Sequence, residues 1–188
     1  MKFETASLNI DGQSEVKRAE QEKKLQDIRE AIEKTTDAIG HPIEGGIKES
    51  VVILSAFGLR TSQSCGGHPD EPRSEERAPS RAPWVEIYPK EPDQKDWYEN
   101  EELRKEVEAE SLDYRAKALN LFDEFYQDKT VPNDVMLGLS PIAYGFRIQS
   151  NGLDSLEGLA DQQRTEKGQL YEKEMEDFTE FLKRKFLK

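Results

Sequence analysis

Cysteine is almost absent from this chain. Cys65 stands alone in 188 residues, so no internal disulfide can brace the fold, and an unpaired thiol points to a reducing, cytoplasmic compartment. Long apolar runs are missing too. The longest, Val51 to Leu59, is interrupted by Ser55 and is far too short to span a bilayer, and the start Met1-Lys2-Phe3-Glu4-Thr5 has no signal-type apolar stretch. Positive charge is in deficit: 27 Lys and Arg face 39 Asp and Glu, a formal charge of −12. Such a surface repels phosphate backbones and anionic lipid, which argues against nucleic acid and membrane as partners. Hydrophobic residues make up only 35% of the chain, the same share as charged ones, so much solvated helix or loop should surround a modest core. The length suits one domain.

What the chain does have is a short turn crowded with chemistry. Thr61-Ser62-Gln63-Ser64-Cys65-Gly66-Gly67-His68 gathers hydroxyls, the thiol, an imidazole and approachable glycine backbone, and marks the candidate site.

Periodicity places this turn in a scaffold. Residues 1–13, with Asp11-Gly12, read as a flexible tail, leaving 14–188 as a single domain. Ser14 reads as the N-cap of a helix running to Ile39, striped by Leu25, Ile28, Ile32, Thr35 and Ile39, and Gly40-His41-Pro42 should end it. A second helix is expected from about Gly46. Ile47, Val51, Leu54 and Gly58 share its face, although Val51-Val52-Ile53-Leu54 also has strong strand propensity. A strand through Ser64 should lead into a long loop over 66–83, a disordered excursion or a mobile cover. The strand Trp84-Val85-Glu86-Ile87-Tyr88 follows, closed by Pro89 and Pro92.

An acidic helix is expected from about Asp93 to Gln127, with Leu103, Val107, Leu112, Leu119, Phe122 and Tyr126 on its stripe and a Glu101–Lys105 pair one turn apart. Val131-Pro132-Asn133-Asp134 is turn material. Strands over 135–139 and 142–149 should then meet around Ser140-Pro141. In the second, Ile142, Tyr144, Phe146 and Ile148 share one face, opposite Ala143, Gly145, Arg147 and Gln149. Asn151-Gly152 should end it. A last helix, from Leu159 or Ala160 to Lys188, carries Leu170, Met175, Phe178, Leu182 and Phe186, with Lys183-Arg184-Lys185 suiting the negative end of its dipole. The fold class is therefore α+β, a small, mainly antiparallel sheet covered by helices in the order ααββαββα.

The Cys65 turn admits several readings. As a catalytic nucleophile, Cys65 needs a lowered pKa, which His68 or Arg147 could provide. As an anion cradle, the amides of Gly66 and Gly67 would be joined by the Ser62 or Ser64 hydroxyl. As a metal site, Cys65 and His68 would need Asp70 or Glu86. Two Cys/His ligands fall short of a structural zinc set, so no metal is expected. As plain structure, the segment turns the chain around a small buried thiol. Trp84 is a stacking platform or packing, and Arg147 and Gln149, on the same open face as Glu86, orient a polar ligand or leave a plain cross-strand ion pair.

From Gly58 through His68, and again over Pro83-Trp84-Val85-Glu86-Ile87, the chain resembles a group of uncharacterised bacterial proteins with a Thr-Ser-x-Ser-Cys-x-Gly-His signature. That resemblance implies no activity. Over Ser64, Cys65, Gly66 and Gly67 it is also similar to the Ser-Cys-x-Gly turn of Tyw3-type proteins of wybutosine synthesis. That pattern continues with arginine where this chain has His68, and the acidic charge argues against a tRNA partner.

The expectation from sequence is a small polar or anionic ligand bound by Thr61, Ser62, Ser64, Gly66, Gly67, Trp84, Glu86 and Arg147, with thiol chemistry at Cys65 and His68 left open. No cofactor is identified. The rival expectation is a noncatalytic module that meets a protein partner through its acidic helices.

Overall fold

The computed structural model describes residues 8–36, 41–68 and 80–188. Its main elements are α1 (Leu8–Glu33), α2 (Gly45–Ala56), β1 (Thr61–Cys65), β2 (Trp84–Ile87), α3 (Glu101–Tyr126), β3 (Leu137–Ile142), β4 (Gly145–Ser150) and α4 (Asp161–Phe186). Short 3-10 turns at Trp97–Glu99 and Leu153–Gly158 precede α3 and α4. The expected order and the small antiparallel sheet are present. The strands run β1-β2-β4-β3, every neighbouring pair antiparallel.

Alternation in β2 and β4 decides which side of the sheet is buried. Val85, Ile87, Phe146 and Ile148 are wholly buried and join residues of α2, α3 and α4 in one core. The propensity conflict at 51–54 resolves as helix, because α2 is enclosed by neighbours. It packs on α1, on α4 and on the sheet, and Ser50 Oγ lies 2.7 Å from Thr179 Oγ1 of α4 in the interior. Between α3 and α4 the core is aromatic, with the Phe178 ring 5.2 Å from both Phe122 and Phe125.

Several boundaries depart from the sequence reading. The first helix begins at Leu8, so Ser14 lies inside it, and part of the expected tail is helical. An interior glycine such as Gly12 costs a helix only about 1 kcal/mol. Its end also comes early. Thr35 turns its hydroxyl onto the Ala31 carbonyl at 3.1 Å, and Thr36 bridges to Pro42. Ile39 and Gly40 lie outside the described residues.

The third helix starts later than Asp93, because Asn100 accepts from the amides of Glu102 and Leu103 at 3.0 and 3.3 Å and so caps it. Glu101 and Lys105 pair at 2.6 Å as expected. Val107 and Phe122 are buried as expected, but the stripe of α3 is completed by Ser111, Tyr114, Ala118 and Leu121, leaving Leu112 and Leu119 exposed, as is Leu170 on α4.

The hairpin between β3 and β4 turns at Ala143-Tyr144 instead of Ser140-Pro141. Pro141 sits within β3 opposite Phe146, tolerable because β3 is an edge strand whose outer edge has no neighbouring strand to receive an amide N–H. Ala143 takes a φ of +39°. Gly145 is required beyond it, since a Cβ there would collide with the Ile87 carbonyl. Ile142 therefore pairs with Gly145 on the face opposite Phe146, and Tyr144 leaves the strand to pack 5.0 Å from the Trp97 ring.

Candidate functional site

The site begins where β1 stops pairing. Cys65 is the last strand residue, opposite Trp84, and beyond it the backbone must pass close to the segment that enters β2. Gly67 makes this possible: it has a φ of +85°, and a Cβ there would lie 2.9 Å from the Ala82 carbonyl carbon and the Pro83 nitrogen. The two segments are then tied by His68 N–H donating to the Ser80 carbonyl at 2.8 Å. Asp70, offered by sequence as a ligand, lies outside the described residues.

Glu44, which sequence reasoning missed, completes the turn. It occupies the N-cap position of α2 without capping it through its side chain. Its carboxylate crosses instead to the turn, where Oε2 accepts from the Gly66 amide and Oε1 lies 2.9 Å from His68 Nε2. The donor atoms of Glu44, Cys65 and His68 all fall within 4.8 Å of one another.

This environment does not activate the thiol. Burial pushes the Cys65 pKa above its ordinary value, the Gly67 amide works against that, and the Glu44 carboxylate adds to it. His68 is engaged with Glu44. Arg147 is committed elsewhere, its guanidinium 4.0 Å over the Trp84 ring and its Nε and Nη2 each 3.3 Å from Glu86 Oε2. The two cations named as possible activators therefore have other partners.

Arg147 and Glu86 thus form the cross-strand ion pair, and Trp84 carries the arginine on its face. Ser62 donates to Glu86 Oε1 at 2.9 Å, an approach allowed by the irregularity in β1 between Thr61 and Gln63. Glu86 is therefore a buried anchor already satisfied by protein.

The predicted ligand residues divide between two cavities on either side of the β1 end. One, of about 830 Å³, is lined by Thr61, Ser62, Ser64, Trp84, Glu44 and His41 among others. Thr61 and Ser64 pair with Ile87 and Val85, residues of the core face, so they stand apart from the Cys65 side. The other cavity, of about 520 Å³, joins Cys65, Trp84, Arg147 and Gln149 of the sheet to Ser80, Arg81, the Leu153–Gly158 turn and Arg164 of α4. Gly66 and Gly67 line neither.

The smaller cavity inverts the charge of the chain. Three arginines, Arg81, Arg147 and Arg164, line it against two acids, Asp154 and Glu157, in a protein whose formal charge is −12. Arg164 donates to Asp161 at 2.6 Å, yet its Nε is buried without a hydrogen-bond partner. Gln149 is only 6% exposed. A buried guanidinium N–H left unmatched costs on the order of 1–3 kcal/mol, more when charged, unless something accepts from it.

Gln149 was read from sequence as sharing the face of Arg147 and Glu86, whereas Arg81 and Arg164 were not picked out. Arg164 sits in a charged stretch, Asp161-Gln162-Gln163-Arg164, that gives no hint of a concave neighbour. Compared with protein families, with curated proteins and with solved structures, the chain matches none of them. Among the described residues, no helix is long and apolar enough to cross a membrane.

Proposed function

We propose that this protein binds a small anionic ligand in the cavity between the polar face of the sheet and the start of α4. The observation that carries the reading is the buried, unpartnered Nε of Arg164 in a cavity shared with Arg81 and Arg147. Guanidinium groups match the planar, two-pronged geometry of carboxylate and phosphate oxygens. A cavity of about 520 Å³ falls within the range that holds small metabolites. Gln149 would add an amide contact from the cavity floor. Arg147, held over Trp84 and against Glu86, would present its remaining donor edge at a fixed angle.

Thiol chemistry is not part of this reading, because the surroundings of Cys65 favour the neutral thiol. Isothermal titration with inorganic phosphate, a dicarboxylate and a nucleoside monophosphate tests it. Saturable binding of at least one, lost in Arg164→Gln and weakened by added salt, supports the proposal. Equal heats in wild type and Arg164→Gln remove it.

A protein contact along α3 is a second reading, favoured by the exposure of Leu112 and Leu119, two turns apart on an acidic helix. Exposed acids beside them, Glu108 and Asp113, suit a basic partner. A photoreactive residue at position 112 should yield one discrete adduct in cells. Scattered labelling would sink that reading.

A further inference from the structure

Among the described residues of a chain with 39 acids, a single group of three or more Asp, Glu, Cys and His side chains comes close enough to share an ion. It contains the sole cysteine and one of two histidines, brought together with Glu44 from the approach to α2, the end of β1 and the turn beyond. We propose that Glu44, Cys65 and His68 form a binding site for a borderline-soft divalent transition ion, with zinc as the natural occupant.

The donor set carries the choice of ion. Sulfur, imidazole nitrogen and carboxylate oxygen are the three ligand types zinc takes from proteins, whereas magnesium and calcium prefer oxygen alone. Three protein ligands leave a coordination position for water or a bound molecule, the pattern of reactive zinc sites and not of closed structural ones. The donors are also oriented from behind. The Gly66 amide holds Glu44 Oε2, and the His68 backbone is fixed to Ser80, the kind of support that metal ligands receive from their neighbours.

Without metal, the contact between Glu44 Oε1 and His68 Nε2, 2.9 Å long, occupies the space between two of the donors. Binding exchanges that contact for two bonds to the ion: the proton that His68 Nε2 donates to Glu44 is released to solvent while the imidazole takes one up at Nδ1, so the ring stays neutral and the Nε2 lone pair and a Glu44 oxygen both reach the metal. The Cys65 thiol gives its proton to solvent as the sulfur–metal bond forms. Cys65 also lines the arginine cavity, so an anion held there would lie beside the ion. The metal proposal nevertheless stands without the anion reading, and each is tested in the absence of the other's ligand.

The experiment strips the untagged full chain with a chelator, then dialyses it against zinc or cobalt(II) with no added phosphate or carboxylate. One equivalent of metal per chain should be retained, and the cobalt form should show a thiolate-to-metal charge-transfer band in the near ultraviolet. Cys65→Ser should lose the band. Glu44→Gln and His68→Gln should each weaken binding by about tenfold or more, since even supporting residues behind a metal ligand cost that much. Circular dichroism checks that each variant is folded; if Cys65→Ser is not, alkylating Cys65 in the wild-type chain must abolish the band. No retained metal, or an unchanged band after Cys65 is replaced or alkylated, overturns the proposal.

Discussion

On one side of the β2–β4 pair, Val85, Ile87, Phe146 and Ile148 are wholly buried in the apolar core; on the other, Trp84, Glu86, Arg147 and Gln149 alternate with them along the same two strands. The polar side is covered as well. Glu86 and Gln149 are nearly as inaccessible as the core residues, yet there burial is compatible with charge because Arg147 and Ser62 satisfy Glu86. The comparison teaches that period-two alternation separates an apolar packing face from a charged, hydrogen-bonded one within eight residues.

The largest expected effect comes from breaking the apolar face. Phe146→Ala should destabilise the protein by about 3–5 kcal/mol, read as a lowered urea midpoint, while any fraction still folded keeps its anion affinity. Next, Gly67→Ala should cost about 1–3 kcal/mol, since it forces a side chain into a left-handed conformation against the Ala82-Pro83 backbone. Its thermal unfolding, set beside that of Gly46→Ala, where a Cβ meets nothing, isolates the turn from general glycine effects.

On the polar face, Arg147→Met should cost about 1–2 kcal/mol, because Glu86 loses two of its hydrogen bonds in a buried place. It should abolish anion binding out of proportion to that loss. Equal stability and equal binding would erase the distinction between the faces.

The smallest effect sharpens the comparison from the helical side. Glu49 lies between Arg29 of α1 and Lys183 of α4 at 2.9 and 3.1 Å, and the Arg29 hydrogen bond leads in holding its carboxyl down to about 2. A depressed folded pKa gives stability that is complete above the ordinary carboxylate range and is lost as pH falls from about 4.5 toward 2. Acid unfolding should therefore be shallower over that window in Glu49→Gln than in wild type. The group is partly exposed, so high salt should shrink the difference.

Element order was legible because strands and helices announced themselves by period. Trp84 to Ile87 and Phe146 to Gln149 alternate cleanly, and Phe178 and Leu182 recur at helical spacing. The α3 stripe was misread where small or polar residues, Ser111 and Ala118, occupy the interface while leucines face water. Hydrophobicity ranks Leu112 above Ser111, but interhelical space admits the smaller side chain. The hairpin was misplaced because Ser-Pro looks like a turn unless an edge strand accepts the proline.

Of the candidate site, the turn itself could be read from its own composition. Its neighbours could not. Glu44 reaches Gly66 and His68 across the gap between α2 and β1, and Arg164 reaches the cavity from beyond the 3-10 turn. Neither contact leaves a local pattern, since both are made by tertiary approach.

The bond from the His68 amide to the Ser80 carbonyl has an architectural consequence. It holds positions 68 and 80 together outside the strand ladder. Loop-closure entropy grows only slowly with length, by about 0.6 kcal/mol for each doubling, so a foreign peptide spliced into the chain between these two positions should leave the thermal midpoint almost where it was.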